Sequence, residues 1–216
     1  MTAARPFEFV ECLELREMLG RTAWDERELL AGIEDVPAES IAYHTRSYFL
    51  RSRYLAAPYP NDFATWAAIQ IRDRVLGERL TVVDPFDFSD IEQLRAELVT
   101  IIDHHLTTVQ TVPRADYGEP FHFMRSVLIE VPTGITVTTL RAFRDGLERV
   151  DTSAIYYHFY ESYRRPEADP LAWLQTELGR DDVVTQMRRL NPYVTSLAGM
   201  RAQLLTACDT ALGDAP

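Results

Sequence analysis

The chain contains no lysine: all 22 basic side chains among its 216 residues are arginine. Because each needs a primary amine, the Walker A phosphate loop, Schiff-base catalysis and the kinase strand lysine are excluded together. Genomic base composition explains the all-arginine usage more simply than selection for a planar guanidinium. Cysteine is scarce too. Cys12 and Cys208 match no metal-ligand spacing and no disulfide framework, which points to a reducing, cytoplasmic setting. No apolar run approaches the roughly 20 residues of a membrane-spanning helix, and the opening MTAARPFEF has no signal-peptide core. The 22 basic residues face 33 acidic ones, a net charge of −11 that opposes binding to nucleic acid and to anionic membranes. G-x-S-x-G, H-E-x-x-H, C-x-x-C and G-x-G-x-x-G are all missing, so hydrolase, zinc-protease, redox and dinucleotide readings have no motif support.

What the chain does have is repetition. Ile41-Ala-Tyr-His44 returns as Ile155-Tyr-Tyr-His158, each about seven residues before an arginine, Arg51 or Arg165. At the same offset Phe7 meets Phe121, Phe9 meets Phe123, Gly20 meets Gly134, Gly32 meets Gly146 and Val36 meets Val150. About a dozen identities fall in roughly 46 ungapped positions, more than chance supplies. The match then slips by seven residues, after which Asp62 and Trp66 of NDFATW align with Asp169 and Trp173 of ADPLAW. The pattern predicts a tandem duplication, with copy one over 1–113 and copy two over 119–216. Two copies are few for an open solenoid, so one compact body with pseudo-twofold symmetry is expected, each half covering the other's apolar face. The turn-rich stretch from Thr107 to Pro120 reads as the connector.

Each copy has the same order of elements. The alternation of PFEFVECLEL and PFHFMRSVLIEV predicts a strand from Pro6 to Leu15 and from Pro120 to Val131. A helix follows, with Thr22 or Thr138 at its start. Next come the I-x-Y-H helix, capped at Ser40 or near Thr152 and Ser153, and then the tryptophan helix. A helix ending before Pro85 or Pro192 leads to a long last helix, which Ser89 and Glu92 open as a capping box in copy one. The expected class is α+β and helix-dominated.

Helical spacing places Ile41, His44, Thr45 and Tyr48 on one inward face, and Ile155, His158, Phe159 and Ser162 on another. Each histidine is therefore read first as a core residue bridging two helices, with a partner for each ring nitrogen. Two sharper readings stand beside it: a metal shared across the pseudo-twofold axis, for which no carboxylates are evident, and general acid–base catalysis by His44 or His158. Asp62 and Asp169 each precede a helix and read as its N-caps, with Pro170 at the first helical position in copy two. The aromatic residues Tyr43, Tyr156, Tyr157, Tyr160, Trp66 and Trp173 read as core or interface; Tyr43, Tyr157, Trp66 and Trp173 are the candidates for holding a ligand.

IIDHHL carries Asp103, His104 and His105, but adjacent helical residues point about 100° apart and serve one metal poorly. Copy two has TACDTAL there, and the His158-x-x-Glu161 spacing finds Ser47 in place of glutamate in copy one. No metal or cofactor is expected.

The combination of SIAYH and AIYYH, NDFATW, and DPF followed by LR resembles a bacterial and archaeal family of uncharacterised proteins that carry SIYYH-like and NDF-x-x-W-like motifs. The resemblance spans nearly the whole chain. Copy two departs from it, with Pro170 where phenylalanine is expected and Ala168 in place of asparagine. The resemblance implies no defined activity, only genes that often lie near sugar-transferring enzymes. The reading is a non-enzymatic binding or accessory module for a protein partner or a small polar, sugar-related metabolite, with homo-oligomerisation left open. The alternative is an enzyme with an acid–base histidine site between the two repeats.

Overall fold

Two strands of 17 residues each, β1 (Phe7–Ala23) and β2 (Phe121–Val137), pair into a two-stranded sheet in a computed structural model that describes residues 2–115, 119–161 and 168–213. Arg165 and Ser162 lie outside the described residues. Thr133 Oγ1 donates to the Phe9 carbonyl and Arg125 Nε to Glu17 Oε2, so the residue numbers run in opposite directions and the pair is antiparallel. Both strands outrun the expectation by six to eight residues. Only the openings of the alternating stretches are buried, since Leu13 and Leu15 of β1 and Val127 and Ile129 of β2 are already exposed, as is Met18 further along. Gly20 and Gly134, with φ of 71° and 72°, hold left-handed turns inside the strands that a side chain would strain.

Helices make up most of the remainder. Between the strands run α1 (Glu26–Asp35), α2 (Ala38–His44), α3 (Tyr48–Arg51), α4 (Asp62–Trp66) with a π turn (Ala67–Ile71), α5 (Arg74–Thr81) and α6 (Ile91–Thr108). After β2 come α7 (Leu140–Arg149), α8 (Thr152–Phe159), α9 (Pro170–Thr176), α10 (Asp181–Met187), a 3-10 turn (Pro192–Val194) and α11 (Leu197–Leu212). Among the described residues, no helix is long and apolar enough to cross a membrane.

The chain divides into two units. Unit 1 holds Met1–Glu14, Ser52–Ala56 and Leu128–Pro216; unit 2 holds Leu15–Arg51 and Ala57–Val127. In unit 2, Leu29, Ile33, Phe63, Leu76, Leu94 and Leu98 form a core on which Phe121 and Phe123 of β2 lie. Gly32 on α1 is what admits Phe123, since a Cβ there would stand 2.1 Å from the ring. Unit 1 packs the opening of β1 in the same manner. Phe9 seats on Gly146 of α7, where a Cβ would come within 2.4 Å of the ring, and the Phe143 ring stacks on it.

Several helix starts differ from expectation. Thr22 continues β1, and Asp25 caps α1 by accepting from the Glu28 N–H. Thr139, not Thr138, caps α7, and Asp90, not Ser89, caps α6. Ser40 is inside α2, which begins behind Pro37, and Asp151 caps α8. At α1, α6, α7 and α8 a carboxylate or threonine oxygen accepts one of the first free N–H groups, whereas Pro37 makes no side-chain cap bond and α2 simply starts behind it.

Candidate functional site

His44 ends α2 and is 3% exposed. Its Nε2 accepts the Met124 N–H of β2 at 3.0 Å, which leaves the ring proton on Nδ1, donated to Asp62 Oδ2 at 2.8 Å. The same Asp62 oxygen accepts from Arg51 Nη2 at 2.5 Å, and the Arg51 guanidinium lies 4.1 Å over the centroid of the Tyr43 ring. Rings of Phe63, Phe121 and Phe123 surround the imidazole. Burial pushes the His44 pKa below the ordinary histidine value, outweighing the nearby carboxylate.

The expectation for Asp62 is overturned here. Asn61 caps α4 by accepting from the Ala64 N–H, while Asp62 is the first helical residue and partners His44 and Arg51. In unit 1 the helix start lies one residue further along. Pro170 occupies the first helical position, where its missing N–H is harmless, so Asp169 becomes the cap and accepts from the Leu171 N–H at 2.9 Å. That shift takes the Asp169 carboxylate out of the role Asp62 performs.

His158, 1% exposed, accepts the Val10 N–H of β1 at Nε2 (2.9 Å) and donates from Nδ1 to the Ala168 carbonyl (2.8 Å). Phe7 and Tyr157 pack on it. Burial lowers its pKa to about 4, only partly offset by the carbonyl. Both imidazoles are neutral clamps on a strand amide, and both nitrogens of each ring are committed.

The four aromatic candidates are all buried. Trp66 donates its indole N–H to the Glu119 carbonyl, and Trp173 donates to the Arg5 carbonyl. Tyr43 and Trp66 are core. Tyr157 and Trp173, with His158, form the floor of a cleft of about 450 Å³ in unit 1, rimmed by Arg5, Glu8, Glu130, Asp169 and Glu177. Among the described residues, one cation faces four carboxylates along this cleft.

A third constellation lies in unit 2. Glu26, first residue of α1, Asp73, cap of α5, and His105 on α6 each bring one donor atom within 4.8 Å of the others. His105 Nε2 is 3.0 Å from Asp73 Oδ2 and 3.6 Å from Glu26 Oε2. Burial, helped by Asp73 and then Asp25, pushes the Glu26 pKa up to about 7.

The model of a family of unknown function, DUF5752, matches residues 4–209. The chain belongs to that family. A solved structure, that of OrfY from Thermoproteus tenax, is similar over 98% of this chain and 97% of its own, with a TM-score of 0.79 and 22% identity. At that identity the likeness speaks for the shared fold. The comparison with curated proteins gives no match.

Sequence reasoning missed Glu26 and passed over His105, although a signal for both was present. Leu94, Leu98, Ile102 and His105 share the buried stripe of α6, and Glu26, Leu29 and Ile33 share that of α1. A charged residue on an apolar stripe marks an unusual environment. Asp73 carried no such mark, since it also caps its helix.

Proposed function

We infer that the protein is a non-enzymatic binding module, built by tandem duplication of copy one (1–113) and copy two (119–216) with pseudo-twofold symmetry, and that it takes a small polar ligand in the acidic cleft of unit 1. The observation that carries the reading is the state of the histidines. A general base needs a free ring nitrogen aimed at substrate, and in His44 and His158 a backbone amide occupies Nε2 while Nδ1 is spent on Asp62 or Ala168. The cleft beside His158 is open, and its Glu8, Glu130, Asp169 and Glu177 carboxylates favour a ligand bearing hydroxyls and a positive charge, such as an amino sugar. The duplication is supported by matched contacts: Phe123 on Gly32 and Phe9 on Gly146, and the Met124 amide on His44 and the Val10 amide on His158. In each pair a strand opening from one copy meets helices of the other. A cytoplasmic location is supported by the two cysteines, both buried and neither in a disulfide.

The test is an NMR titration of the labelled chain with glucosamine, spermidine and glucose. The reading expects saturable shifts confined to Arg5, Glu8, Tyr157 and Glu177, strongest for the cationic probes and weakened by Glu8→Gln with Glu177→Gln. Shifts centred elsewhere, or none with any probe, contradict it.

A further inference from the structure

Glu26 is fully buried, and among the described residues no hydrogen-bond donor reaches either of its carboxylate oxygens. His105 is 2% exposed and its Nδ1 is likewise unpartnered. An ionised carboxylate placed so is costly unless a compensating charge stands against it. Asp73 adds a second carboxylate in the same spot, and among the described residues the only cationic partner recorded for either acid is the His105 imidazole. With both acids ionised, even a protonated histidine leaves a net negative charge; a dication balances the two carboxylates with the imidazole neutral.

The spacing fits such an ion. Two donors each about 2.0–2.2 Å from one cation, at tetrahedral or octahedral angles, are about 2.8–3.6 Å apart. The His105 Nε2 separations from Asp73 Oδ2 and Glu26 Oε2 are 3.0 and 3.6 Å. The donors are held by three separate helices: the start of α1, the cap of α5 and the inner face of α6. Asp73 is fixed further by its Oδ1, which accepts the Leu76 N–H at 2.8 Å. Just before it, Arg72 adopts a left-handed φ of 66°, a conformation non-glycine residues hold only where the surroundings impose it.

We propose that Glu26, Asp73 and His105 form a site for one first-row divalent cation, Zn²⁺ or Mn²⁺, which ties α1, α5 and α6 together. The donor set decides the class, because one imidazole with two carboxylates suits borderline cations better than Ca²⁺ or Mg²⁺, which favour all-oxygen shells. The site is independent of the cleft in unit 1, so failure of one reading leaves the other standing.

The experiment uses the full chain, chelator-stripped and free of any affinity tag, titrated with Zn²⁺ and with Mn²⁺ alone. Expected are one ion per chain and a melting temperature that rises on addition. Glu26→Gln, which keeps the shape and removes the charge, should weaken binding by at least the roughly 10–100-fold that losing even an outer partner of a ligand costs. Without metal, Glu26→Gln should melt no lower than the wild type. His105→Ala should also lose the ion; if it fails to fold, the wild-type titration and the isosteric Glu26→Gln still decide. Substoichiometric binding of both ions to the wild type, or binding that survives Glu26→Gln unchanged, overturns the proposal.

Discussion

The two histidine junctions are the same device built with different partners. In unit 2, His44 holds the Met124 amide and leans on a carboxylate that also anchors Arg51; in unit 1, His158 holds the Val10 amide and leans on a peptide carbonyl. The constant half of each junction is the Nε2 acceptor, which gives a strand amide a partner inside an aromatic cage. The variable half follows from one proline. Pro170 moves the start of α9 so that Asp169 caps the helix, whereas Asn61 caps α4 and releases Asp62 to the histidine. A lone Asp–His pair would suggest catalysis. Its counterpart in unit 1, where a carbonyl does the same work, argues that the pair in unit 2 is structural.

The largest effect that separates the junctions comes from the two aspartates. Asp62→Ala strands the buried His44 N–H and takes one partner from Arg51, and should cost about 3 kcal/mol by chemical denaturation. Asp169→Ala removes only a cap and should cost about 1 kcal/mol. Equal losses would collapse the distinction. A somewhat smaller effect tests what the junctions share. Gly32→Ala and Gly146→Ala each drive a methyl into a buried phenyl ring, for a net loss of about 2 kcal/mol once the helix preference of alanine is counted. The two losses should match within about 0.5 kcal/mol; a large inequality would mean that Phe123 and Phe9 are not seated alike.

Much of this was legible from residue order alone. Alternation located Phe7, Phe9, Phe121 and Phe123 as the buried strand openings, and helical spacing turned His44 and His158 inward. Strand lengths were not legible, because beyond Leu15 the alternation lapses in Arg16, Glu17, Met18 and Leu19, and the continuation depends on pairing with a strand over a hundred residues away. The role of Asp62 was hidden because an aspartate before a helix satisfies a cap equally well, and only position relative to Asn61 decides. Glu26, Asp73 and His105 lie on three helices, and nothing local draws them together.

The most direct test of the account is the protonation state of the two imidazoles, read by nitrogen-15 NMR between pH 5.5 and 7.5. The folded His158 pKa of about 4 lies below the unfolded value near 6.5. The unfolded chain therefore takes up the proton first: stability is flat above about pH 6.5 and falls as pH drops toward 4. His44 is shifted in the same direction. The account predicts that both rings remain neutral across the whole range, with the proton on Nδ1 and an unprotonated Nε2. A ring that titrates near pH 6.5, or carries its proton on Nε2, would contradict the clamp and return that histidine to the list of acid–base candidates.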